Sequence, residues 1–100
     1  MEVYKRIQTV NITITFLNSS KAVATPDTSL TATVYDPMQN KLVDAADILA
    51  NLTVATGLYF YNYSPAATAI LGSEEHPWTI DITSVNSGNT LTESVTFYLE

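Results

Sequence analysis

Between positions 10 and 16 every second residue is apolar: Val10, Ile12, Ile14 and Phe16 alternate with Asn11, Thr13 and Thr15. Successive side chains point to opposite faces in a β-strand, so this run has one dry face and one wet face. The same period of two returns at Leu30, Ala32 and Val34 against Thr31, Thr33 and Tyr35. It returns again at Trp78, Ile80 and Ile82 against Thr79, Asp81 and Thr83, and at Val95, Phe97 and Leu99. An amphipathic helix needs apolar residues three and four apart, and these runs do not supply them. The wet positions agree with this reading. Threonine, β-branched and suited to a pleated surface, fills many of them, whereas the lysine and glutamate of exposed helical faces are scarce.

Turn chemistry separates the alternating runs. Asn18-Ser19-Ser20 and Pro26-Asp27 interrupt the chain after the first run, and Asp36-Pro37-Met38-Gln39-Asn40 closes a hairpin between a strand at 29–35 and a short one at 41–44. Proline presets φ there, and Asn40 tolerates a left-handed conformation. Leu58-Tyr59-Phe60-Tyr61-Asn62-Tyr63 is an aromatic strand ended by Pro65, and 66–72 is a short strand or an apolar loop. Asn86-Ser87-Gly88-Asn89 turns the chain into a last strand over 90–99, apolar on one face and expected to be buried there. Residues 45–55 admit two readings. Ala45, Ala46, Ile48, Leu49 and Leu52 make one face of a short helix capped by Asp44, or Leu52 and Val54 begin a strand; the all-β surroundings favour the strand. About seven strands at spacings of roughly 8–12 residues make an all-β sandwich over residues 7–100. Residues 1–6 stand outside the alternation and are expected to form an N-terminal arm.

One hundred residues suffice for one domain and its core. Ten acidic side chains against four basic ones give a net charge of −6, the wrong sign for binding a phosphate backbone. Cysteine is absent, which excludes disulfides and thiolate metal sites. No apolar run approaches the roughly 20 residues of a membrane-spanning helix, and no leader pattern opens the chain.

Catalytic chemistry finds little support. His76 is the single histidine, so a nucleophilic triad would have to run through it with Glu75 or Asp81 as orienter. No nucleophile elbow or phosphate-cradling glycine loop occurs. No enzymatic activity, cofactor or bound metal is expected. Glu74-Glu75-His76 would need a third acid, Asp36 or Asp81, to hold a hard cation. Four Asn-x-Ser/Thr acceptors begin at Asn11, Asn18, Asn51 and Asn62, two of them inside expected strands. Tyr59, Tyr61 and Tyr63 share one strand face and are assigned to the core, with Tyr63 nearest the surface and Leu58 and Phe60 on the outer face. Lys5 and Arg6, half of all the basic residues, lie in the arm. Tyr4, Lys5, Arg6, Leu58, Phe60 and Tyr63 are therefore the candidate interface. Asp36, Asn40, Glu74, Glu75 and His76 are the candidate ligand-binding loop residues.

The runs Leu30 to Val43 (around Asp36-Pro37 and Asn40-Lys41), Thr56-Gly57-Leu58-Tyr59-Phe60-Tyr61 and Pro77-Trp78-Thr79-Ile80-Asp81-Ile82 resemble immunoglobulin-like sandwich domains of phage, viral and microbial surface proteins. The closing Val95 to Glu100 resembles their last strand, and the likeness covers about residues 28–100. Two departures affect turns: Gln39 stands where those hairpins carry glycine, and no glycine precedes Trp78. The resemblance implies an immunoglobulin-like β-sandwich of about seven antiparallel strands. A chain of this size opening on Met1 without a leader or anchor resembles a virion component, such as a capsid decoration or tail-associated protein. Its expected partners are protein neighbours in a symmetric assembly, without nucleic acid or membrane insertion. The alternative it implies is a cell-surface adhesin or filament module that binds a glycan or receptor through its loops.

Overall fold

The computed structural model describes residues 1–17, 20–22, 24–49 and 57–100. Seven strands form among them and no helix: β1 (Glu2–Tyr4), β2 (Val10–Thr15), β3 (Ser29–Tyr35), β4 (Lys41–Asp47), β5 (Leu58–Tyr63), β6 (Trp78–Asn86) and β7 (Asn89–Leu99). They make two sheets. One has five strands in the order β1-β7-β6-β3-β4, and the other pairs β2 with β5. All neighbours are antiparallel except β1, which runs parallel to β7 with Glu2, Val3 and Tyr4 opposite Phe97, Tyr98 and Leu99.

The period of two decides what is buried. Val10, Ile12, Phe16 and Tyr59 from the small sheet meet Leu30, Ala32, Val34, Trp78, Ile80, Ile82, Phe97 and Leu99 from the large one, and Ile48 closes the core beyond β4. Ile14, Tyr61 and Val95, expected inside, are half-buried against it. Trp78 is completely enclosed, stacked on Phe97 at 5.9 Å, with the Tyr63 ring at 6.0 Å and its indole N–H donating to the Ile70 carbonyl at 2.7 Å. Burying so large a ring is worth several kcal/mol only where its polar handle finds a partner, and Ile70 supplies it. Tyr59 differs: it is wholly buried, and its hydroxyl has no hydrogen-bond partner among the described residues.

Two aspartates hold two hairpins. Asp36, only 5% exposed, accepts hydrogen bonds from the Met38 and Asn40 amides (2.9 Å each) and from the Asn40 side chain (3.0 Å), folding the β3–β4 loop around its carboxylate. Asp27 reaches across to the β6–β7 turn, where both its oxygens accept from the Ser87 amide at 2.8 and 2.9 Å. Ser87 and Gly88 both have positive φ, 52° and 78°, the two-residue turn whose twist suits a hairpin.

Several expectations need correction. Residues 1–6 are not an arm outside the strands: Glu2–Tyr4 is an edge strand, held by pairing with residues 97–99 that no local periodicity could announce. In the β3–β4 loop the left-handed conformation that Asn40 would tolerate falls on Gln39 (φ 66°), and the Asn40 side chain is committed to Asp36. The short strand expected at 41–44 is β4 and runs on to Asp47, so 45–47 is strand and not helix. The strand start expected at Leu52 and Val54 lies outside the described residues. Of the two readings of residues 66–72, the loop is the one found. The last strand is buried only at its C-terminal end, for residues 89–94 are exposed on both faces.

Candidate protein-interaction surfaces

The residues singled out at the N-terminus are fixed to the opposite chain end. The Tyr4 ring meets Phe97 edge-on at 5.7 Å, and the Tyr4 carbonyl accepts from the Glu100 amide at 2.9 Å. Lys5 pairs with the Glu100 carboxylate at 2.9 Å, and the Arg6 guanidinium donates to the Ala69 carbonyl at 3.1 Å. Tyr4 is half-buried, and burial followed by the nearby Glu2 charge raises its phenol above the ordinary 10.0. Ile7, next along, is 90% exposed.

Leu58 and Phe60 lie on the outer face of the small sheet, opposite Thr15 and Thr13. Asn11 and Asn62 face each other on the same exposed surface; Asn18 and Asn51 lie outside the described residues. Tyr63, from the same strand, points the other way and covers Trp78. Burial, then Tyr61, then the Asp36 carboxylate push its phenol up from 10.0.

That proximity shows how the two candidate loops converge. A Cβ on Gly72 would stand 2.9 Å from the Pro37 ring and 2.8 Å from the His76 carbonyl, so the 72–78 loop lies directly on the β3–β4 turn. Gly72 takes φ 78°, and the close approach leaves no room for a side chain. Ser73 and His76 bond one another, with the His76 amide donating to the Ser73 hydroxyl at 3.1 Å and the Ser73 amide to the His76 carbonyl at 3.0 Å. Glu74 and Glu75 project from this turn. Asp36 is occupied by its own loop: burial would raise its carboxyl, but the bonds from Asn40 and Met38 outweigh this and hold it below 3.8. Asp81 instead accepts from the Ser94 hydroxyl at 2.6 Å, on the outer face of the large sheet. Among the described residues no three histidine, aspartate or glutamate side chains gather as a metal site would require.

A further surface was not anticipated. The small sheet has two described strands against five, and between β2 and β7 the sandwich is open. Ile14, Phe16, Leu17, Leu30, Ile82 and Leu91 line a cleft of about 230 Å³ there. A second, of about 340 Å³, lies farther along the same two strands, between Tyr4, Val10, Ile12, Val95 and Phe97. Leu91 shares the inward phase of Val95 and Phe97, and its partner across the ladder, Ser84, is buried, yet Leu91 is 59% exposed. One signal for this was in the sequence: Glu93 falls on the same inward phase, and a charge there marks a strand end left in water.

The chain matches no protein-family model, and no curated protein or solved structure shows significant similarity to it.

Proposed function

We propose that this protein is a non-enzymatic structural component of a virion, an immunoglobulin-like domain that acts through contacts with neighbouring proteins in a large assembly. The sheet order supports the immunoglobulin-like part. With β2 and β5 read as the B and E strands, and β3, β6 and β7 as C, F and G, the two sheets separate as they do in that fold, and β4 takes the place of the extra C′ strand. Trp78 departs from antibody domains by standing on β6 and not on β3.

The observation that carries the assembly reading is exposed apolar surface around the open side of the sandwich. Leu17 and Leu91 flank that opening, and Ile7 and, on the outer face of the small sheet, Phe60 are further large apolar residues facing solvent. Such surface on a small protein marks an interface. The virion setting rests on the family resemblance.

The test is the size of the native particle. Material from the natural source should sediment within a large symmetric complex. The convergence of the Asp36–Asn40 and Ser73–His76 loops at one end favours the second reading, an adhesin or filament module. A monomer that binds a glycan or receptor through those loops would establish that reading and overturn the first.

A further inference from the structure

The open side of the sandwich presents main-chain hydrogen-bonding groups as well as apolar side chains. The two-residue turn at Ser87-Gly88 makes Asn86 and Asn89 a hydrogen-bonded pair, which sets the phase of the whole β6–β7 ladder. Residues 89, 91, 93 and 95 therefore direct their amides and carbonyls to β6, and Thr90, Thr92, Ser94 and Thr96 direct theirs outward. β1 occupies that edge from the Thr96 carbonyl onward, its first bridge setting Glu2 opposite Phe97. On the facing strand the Phe16 amide bonds the Gly57 carbonyl at 2.8 Å, which turns the main-chain groups of Asn11, Thr13 and Thr15 away from β5, toward the same opening. Among the described residues no strand lies beside either edge.

We infer that the β7 edge from Thr90 to Ser94 receives an extended segment of another protein, one whose cleft-facing side chains are apolar beside Leu91 and Val95 and basic beside Glu93, with polar residues between them on the outer face. Main-chain bonds to β7 would supply affinity, and alternate side chains would enter the clefts beside Leu91 and Val95. β1 shows the arrangement on this very edge, as a strand laid parallel on residues 97–99. The charge of the opening selects the occupant. Glu2 and Glu93 are the charged residues lining the two clefts, and the whole chain carries −6. A second copy would bring Glu93 and a further −6 against the same surface. A segment whose cleft-facing phase carries a lysine or arginine between two apolar residues sets its cation beside Glu93, with Glu2 at the end of the same edge.

This inference rests on the assembly reading and names how a neighbour engages. The probe is a blocked peptide with threonine at every outward position and valine, lysine and valine in turn on the cleft-facing phase, about eight residues long, enough for the open edge at roughly 3.4 Å per residue. Binding to the intact protein is followed by NMR shifts and amide exchange. Thr92 and Ser94 amides should become protected, and replacing the peptide's lysine by glutamate should weaken binding by about tenfold. Thr92→Pro removes one outward amide and no main-chain bond to β6, losing only the exposed Thr83–Thr92 hydroxyl bond of 3.0 Å, so it should abolish binding while the β6–β7 cross-strand signals persist. Should that variant unfold, Leu91→Ala leaves every main-chain group in place and should weaken binding by about tenfold through lost apolar contact. Unaltered exchange at Thr92 and Ser94, equal binding of the acidic peptide, or a self-dimer abolished by Thr92→Pro would each overturn the inference. None of these results changes the sedimentation of native particles, so the assembly reading stands or falls separately.

Discussion

The large sheet has a guarded side and an unguarded one. At β4 the ladder to β3 slips register twice, between Ala32 and Val34 and between Val34 and Tyr35. Ala45 takes a left-handed φ of 49°, and Lys41, Asp44 and Asp47 place three charges on seven residues. Bulges and charges of this kind keep an edge strand from recruiting another chain. At β7 the ladder to β6 runs from Asn89 to Phe97 without a slip, and Glu93 is the one charge in the stretch β1 leaves uncovered. The same sheet thus discourages pairing on one side and permits it on the other, which locates an interface by contrast.

The largest expected effect probes how deeply each side is packed. Phe97→Ala, which removes the ring between Tyr4 and Trp78, should cost about 3–5 kcal/mol in urea unfolding. Val43→Ala, half-buried under the guarded edge, should cost about 1 kcal/mol. Equal losses would show that the two sides rest on equally deep cores, and the contrast would then be one of surface alone.

Each side also has its aspartate. Asp36→Ala removes the acceptor of the Met38 and Asn40 amides in a turn whose tip is exposed to water, and should cost about 1 kcal/mol. Acid tests both carboxylates. The Ser87 amide, then the Thr28 hydroxyl, hold Asp27 below 3.8 despite some opposing burial, and Asp36 is held below it as well. A carboxylate depressed in the folded state stabilises fully above its unfolded value, and that stability is lost as pH falls through the folded one. The thermal midpoint should therefore be level from neutrality to about pH 5 and decline below about pH 4. In Asp27→Asn that decline should be shallower. A decline unchanged in the variant would remove Asp27 from the account.

Smaller effects follow from the backbone of the guarded side. Gln39→Gly and Ala45→Gly relieve left-handed conformations, and each should stabilise by about 0.5 kcal/mol. On the open side, Leu91→Thr should shift stability by less than about 0.5 kcal/mol, because Leu91 is already mostly in water. A loss of several kcal/mol there would mean that the β2–β7 opening is closed in solution.

Local pattern revealed β3 and β5 to the residue: β3 alternates strictly, β5 is a run of strand-forming aromatics, and turn residues flank both. β1 escaped it: three residues carry no period, and their strand exists through pairing with residues 97–99 at the far end of the chain. Leu91 shows the complementary limit. Its inward phase is plain in the sequence, but burial also needs a strand on the opposite sheet, and a neighbour is not written in a residue's own period. The convergence of the two loops was hidden for a similar reason, since Gly72 meets Pro37 only once β3 and β6 are side by side.

The parallel pairing of β1 with β7 also has a mechanical consequence. The start of β1 and the end of β7 lie at opposite ends of their short ladder, so tension between the chain termini slides one strand along the other. The bonds joining Tyr4, Arg6 and Glu100, together with the Lys5–Glu100 ion pair, are then strained at once in shear. An antiparallel hairpin pulled from its open end gives way one bond at a time. Under tension between its ends, this domain would first be tried at its shortest strand.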